Sequence, residues 1–171
     1  MDPSLPSSVV KLLKEKHFLH LATCWENKPH VSLMNYTYIS KNNAHYIVLS
    51  TPKNTTKYSN ITKNPQVSLL VHDWLKLNPE EGGRRNSLYE LLTNINRTEL
   101  TDSVSVMLDG AAQVLADDDE DFEFWKLLHL NSGFKDDVQA CNYLTSGDNA
   151  LVLVTIKACK VTDAKNNVEL Y

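Results

Sequence analysis

Cysteine is scarce in this chain. Cys24, Cys141 and Cys159 are odd in number and follow no metal-binding spacing. That excludes a disulfide framework or a thiolate metal centre as the organising device and suggests reduced thiols. No apolar run nears the roughly eighteen residues needed to cross a bilayer. The N-terminus, MDPSLPSSVV, has neither a basic start nor an apolar signal core. The expectation is a cytoplasmic protein, with the nucleus as a second compartment and no membrane partner. A basic surplus is missing too: 17 lysines and arginines stand against 21 acids, for a net charge of −4. Nucleic-acid binders usually carry the opposite balance, so none is expected as a partner. No Ser-His-Asp or Cys-His arrangement, internal repeat or low-complexity tract is visible. His17, His20, His30, His45, His72 and His129 show no metal-ligand spacing, and each reads singly as a structural or surface residue.

What is present is an ordinary globular composition, 42% apolar and 22% charged, in 171 residues. That length suits one well-buried domain. Ser7 and Ser8 can cap a short helix in which Val9, Leu12 and Leu13 recur at helical spacing. Phe18–Trp25 and His30–Ile39 read as strands joined by the polar turn Glu26-Asn27-Lys28-Pro29. After a turn at Ser40–Asn43, Tyr46–Leu49 reads as a third strand. Thr55–Lys63 is a short helix closed by Asn64-Pro65, since proline cannot continue it. Gln66–His72 is a fourth strand. Leu75–Thr101, with Gly82-Gly83-Arg84-Arg85 and a helix-like Ser87–Ile95, reads as a surface insertion too short for its own core. Arg84 and Arg85 read first as solvated loop and second as a charged lid. Ser103–Leu115 is a long strand with a bulge or bend at Gly110. The acids Asp117–Asp121 suit the start of a helix carrying Phe122, Trp125, Leu128 and His129; a hard-cation site is the other reading. Lys135–Leu144 reads as a further helix and Ala150–Val161 as the last strand. About six strands with hairpin-like links predict a single α+β domain over residues 1–171. Its architecture would be a mostly antiparallel split β-barrel with flanking short helices.

One stretch carries chemistry: Ser50–Val71, STPKNTTKYSNITKNPQVSLLV. Hydroxyls and unpaired backbone N–H groups at a helix entrance, with an ammonium beside them, make an anion site. Lys57 is the charged candidate, and Thr55 and Thr56 can serve as helix caps, anion ligands or both. Ser50 and Thr51 read equally well as strand-end turn residues or as ligands.

The order strand, turn, strand, strand, then S-T-x-x-x-T-T-K-x-x-N-I-x-x-N-P-x-V-S-L-L-V, then a strand with an internal glycine resembles a known family. It is that of the FMN-binding split-barrel proteins related to pyridoxamine 5′-phosphate oxidase. The likeness covers roughly Phe18–Val71 and Ser103–Ala116, more weakly the last strand, and is greatest toward small fungal members. It implies a homodimer with FMN in a groove at the subunit interface. Ser50, Thr51, Thr55, Thr56 and Lys57 would hold the phosphate. Ser32, Leu33, Met34 and Asn35 would run under the isoalloxazine ring, and Ser105 would stand near it. The implied activity is that of an FMN-dependent oxidoreductase of unnamed substrate, with no catalytic acid or base assigned and no metal. Two departures stand out. Thr56 takes the place of an arginine, which removes a bidentate guanidinium, and no arginine follows Arg97. These leave open a non-catalytic module holding flavin or haem, or a dimeric interaction module that recruits a protein through the 75–101 insertion.

Overall fold

The computed structural model describes residues 4–73, 104–133 and 148–171. The insertion at 75–101 with Arg84 and Arg85, and the helices expected at Ser87–Ile95 and Lys135–Leu144, lie outside them. The described chain forms eight strands and three helices: α1 (Ser7–Glu15), β1 (Phe18–Trp25), β2 (Lys28–Asn35), β3 (Thr37–Lys41), β4 (Ala44–Pro52), α2 (Thr56–Lys63), β5 (Gln66–His72), β6 (Val104–Val114), α3 (Phe122–Gly133), β7 (Asn149–Asp163) and β8 (Val168–Leu170). The sheet runs β2-β1-β5-β6-β7-β4-β3, with β8 also paired to β7. Every pairing in it is antiparallel.

Two hairpins fix the register. Glu26 and Asn27 take φ of 51° and 58°, and Asn42 and Asn43 take 54° and 63°. Two-residue hairpin turns need this left-handed pair, and asparagine tolerates it better than most residues. Trp25 therefore faces Lys28, and Lys41 faces Ala44. The first turn is two residues long, so Lys28 and Pro29 already belong to β2. Proline lacks an N–H and is tolerated there because β2 is an edge strand.

The run expected as one strand, His30–Ile39, is two. Tyr36 alone separates β2 from β3, yet these strands occupy opposite ends of the sheet. One chain segment thus joins the two edges, and β2 approaches β4 without pairing to it. The barrel is closed by covalent continuity rather than by a hydrogen-bond ladder, which makes it split. Tyr36 anchors the switch: its N–H donates to His17 O at 3.2 Å and its hydroxyl to Leu13 O at 2.9 Å, tying it to α1. Burial pushes the Tyr36 phenol pKa strongly upward, so the group stays a neutral donor.

Alternation sorts the side chains. Leu19, Leu21, Ile47, Leu49, Leu69, Val71, Val106 and Leu108 face inward, and Val9, Leu12 and Leu13 of α1 join that core. Ser7 and Ser8 do not cap α1. The cap position is Pro6, with no side-chain hydrogen bond, because proline's fixed φ already sets the chain for helix entry. Gly110 marks the expected irregularity. Asp109 pairs with Ala158 and Gly110 with Ile156, which leaves Lys157 as an extra residue. The insertion changes parity, so Ile156 and Cys159 both stay inside. A Cβ on Gly110 would lie 2.8 Å from Thr155 O and 2.6 Å from Val154 Cγ1, which explains the glycine.

α3 covers only part of the outer face. Trp125 packs with Val48, Leu115, Leu151 and Leu153 over β4 and the first half of β7. Across β2, β1, β5, β6 and β8, the outer side chains Val31, Leu33, Phe18, Leu70, Met107 and Leu170 remain exposed. Among the described residues no helix is long and apolar enough to cross a membrane.

Candidate functional site

The hydroxyl-rich turn sits where β4 ends and α2 begins. Thr55 is the N-cap of α2: its hydroxyl accepts from Tyr58 N at 3.4 Å and donates to Pro52 O at 2.8 Å. Thr51, 1% exposed, places its hydroxyl 3.2 Å from that of Thr55. These two hydroxyls are thus joined to each other, and capping holds Thr55 in place. Thr56 and Lys57 occupy the first helical turn, whose backbone N–H groups have no intrahelical acceptor. The Ser50 hydroxyl is buried and has no hydrogen-bond partner. Alternation turns it to the face of Val48 and Leu151, opposite Thr51. Lys57 is half-buried and forms no ion pair with a described residue.

The helix docks by its polar side as well as by Ile61. Asn60 Nδ2 donates to Thr23 Oγ1 at 3.1 Å, and Asn64 Nδ2 to Cys24 O at 2.9 Å. Both bonds pin α2 over β1, and α2 also packs on β2. The α2 entrance and the edge strand β2 are therefore neighbours. Along β2, Ser32 and Met34 face inward and Leu33 and Asn35 outward, as their partners on β1 require. Met34 is buried in the core, whereas Leu33 is 62% exposed. Ser32 Oγ lies 3.4 Å from His30 Nδ1. Among the described residues β2 is an edge strand with one side without a ladder, so its backbone can meet a ligand.

Ser105 stands apart. It pairs with His72 of β5, and two strands separate β6 from β2. At strand spacing this puts it about 14 Å from β2 within one chain. Thr51, Thr55, Thr56 and Lys57 thus gather at the α2 entrance and Ser32–Asn35 lie on β2, whereas Ser105 lies apart.

Two groupings escape a reading of the sequence. His20 and His72, 52 positions apart, stack with ring centroids 6.0 Å apart because β1 and β5 pair. Period-two alternation puts each on the outer face, but only the pairing brings them together. His129 Nδ1 lies 2.8 Å from Thr37 Oγ1 in a buried contact between α3 and β3. Burial pushes its pKa down to about 4, so it is neutral in the fold. The acids before α3 are exposed, and Asp119 accepts from Ala116 N. Among the described residues no group of three or more His, Cys, Asp or Glu could hold a metal ion.

Comparison with known proteins adds kinship to this geometry. A pyridoxamine 5′-phosphate oxidase homolog of Schizosaccharomyces pombe is 35% identical over 171 aligned residues, covering 96% of this chain and 88% of its own. Among solved structures, a heme-binding protein of Mycobacterium smegmatis superposes with a TM-score of 0.65 at 16% identity. That match covers 99% of this chain but 59% of the other. An FAD-binding protein of Mesorhizobium loti gives 0.57 at 17% identity, covering 92% and 94%. At such identities these two structures attest the fold alone. A sequence model of the pyridoxamine 5′-phosphate oxidase family matches residues 5–161, nearly the whole chain. The chain belongs to the pyridoxamine 5′-phosphate oxidase family.

Proposed function

We propose that this protein binds FMN as a homodimer and acts as an FMN-dependent oxidoreductase. The observation that carries the reading is the α2 entrance, where the Thr51 and Thr55 hydroxyls meet and Lys57 forms no ion pair with a described residue. Ser50, Thr51, Thr55, Thr56 and Lys57 would hold the phosphate, using hydroxyls, first-turn N–H groups and one ammonium. The free side of β2, from Ser32 to Asn35, would present backbone donors and acceptors to the polar edge of the isoalloxazine ring. The flavin supplies the redox chemistry when bound, while these residues bind, orient and keep water from the ring. The exposed apolar side chains of β2, β1, β5 and β8 suit burial against a second copy. Such a copy would also bring a Ser105 within reach of a ring that the Ser105 of the same chain does not approach. The test is an absorbance spectrum of the purified protein followed by an FMN titration and sedimentation. A colourless protein that takes up no FMN would refute the proposal.

A second reading is favoured by two observations. Thr56 stands where a guanidinium would clamp the phosphate, and a fold neighbour binds heme. A module that holds flavin or haem without turnover would keep the site yet resist reduction by nicotinamide donors. Anaerobic mixing of the loaded protein with NADH and NADPH separates the two readings.

A further inference from the structure

Among the described residues the buried apolar side chains form two separate clusters. The larger lies inside the barrel and takes in α1. The smaller lies outside it, where Trp125 of α3 meets Val48, Leu115, Leu151 and Leu153, with Phe122 and Leu128 packed against them. α3 stands in the connection between β6 and β7 and forms no rung of the sheet. Lifting it would leave the strand pairings and the larger core in place. A segment attached in this way can open on its own, below the cost of global unfolding.

The seat of α3 is not wholly apolar. Alternation puts Thr37, Ile39 and Lys41 of β3 and Tyr46, Val48 and Ser50 of β4 on its side of the sheet. The His129 ring is buried there, bonded to Thr37, and the unpaired Ser50 hydroxyl weakens the packing of the same face. Lys41 stands 4.8 Å from the Phe124 ring centroid and 5.7 Å from that of Trp125, one helical turn before His129. Its ammonium disfavours a second cation in the seat. Tyr46 tilts against Trp125 at 5.4 Å, and no residue of β7 from Ala150 to Thr155 is charged. Tyr38 and His45 bond to each other on the barrel side of β3 and β4. The acids Asp117–Asp121 and Glu123 are exposed at the other end of α3, and Glu123 is paired with Lys126.

We propose that α3 is a flap released by acid, lifting from β3 and β4 as one unit while the barrel stays folded. Its trigger is His129, which the closed flap keeps from water and the open flap exposes. Burial lowers the pKa of the closed ring from 6.5 to about 4. Closure is therefore fully supported above 6.5 and loses support as pH falls toward 4. From pH 7.5 to pH 5 the open fraction should rise about thirtyfold. Opening uncovers the apolar outer side of β4 and β7 at Val48, Leu151 and Leu153.

Native-state hydrogen exchange by NMR tests this at pH 7.5 and pH 5, in urea below the unfolding transition. The α3 amides should exchange through an opening of lower free energy and shallower urea dependence than those of β5 and β6. With intrinsic exchange rates divided out, that opening should be about thirtyfold more frequent at pH 5. In His129→Gln it should no longer change with pH. The proposal is overturned if the α3 amides exchange only together with those of β5 and β6, or if their opening is the same at both pH values. An equal rise in His129→Gln would overturn it as well. The wild type alone decides the first two outcomes, so the test stands even where the variant does not fold.

Discussion

Acidifying this protein should destabilise it through one side chain, His129. The imidazole is 2% exposed on α3, with Nδ1 2.8 Å from the Thr37 hydroxyl. Burial lowers its pKa from 6.5 to about 4. The folded state thus favours the neutral ring, while the unfolded chain takes up a proton near 6.5. The associated stability is fully present above the unfolded value and is lost as pH falls from there toward 4. At about 1.4 kcal/mol per pH unit the ceiling is about 3 kcal/mol. At pH 5 the wild type should already have lost about 2 kcal/mol relative to pH 7.5, a large share of a typical domain's stability. Urea denaturation of the wild type and His129→Gln at both pH values tests this. The variant carries every other titrating group, so the difference between the two losses isolates His129. Equal losses in the two proteins, or a His129 NMR titration midpoint near 6.5, would refute the reasoning.

Other outcomes follow from the same structure. Lys57→Ala should weaken FMN binding by about tenfold or more, since one charged contact to phosphate is lost, and Thr56→Arg should strengthen it; fluorescence titration of FMN reads both. Gly110→Ala should cost about 2 kcal/mol in chemical denaturation, because the Thr155 carbonyl that a Cβ would meet is backbone and has little room to retreat. Val31→Glu with Leu170→Glu places charges on side chains that are 63% and 76% exposed. These changes should leave folding intact and turn the proposed dimer into a monomer by sedimentation; a dimer unchanged by them would place the interface elsewhere.

Legibility differed from element to element. Gln66–His72 is readable to the residue because Pro65 opens it and apolar residues alternate along it. α2 is readable because Thr55 and Asn64-Pro65 punctuate it at both ends. The split at Tyr36 is not, because His30–Ile39 contains no breaker and every residue in it tolerates a strand. The phosphate candidates are contiguous, so their grouping is local and visible. Ser105 is different: its distance from β2 depends on the two strands that intervene.

The sequence alone determined the α+β class, the antiparallel hairpins, the helix entrance at Thr55 and the family, since all of these rest on local pattern and turn chemistry. Only the tertiary structure decided which strands became edges and how one residue carries the chain from β2 to β3. It also left Phe18, Val31, Leu33 and Leu70 exposed on the outer face and paired His20 with His72 and Thr37 with His129. These are non-local pairings, set by which strands bond across the sheet, and period-two alternation fixes a side chain's face but never its neighbour on the next strand.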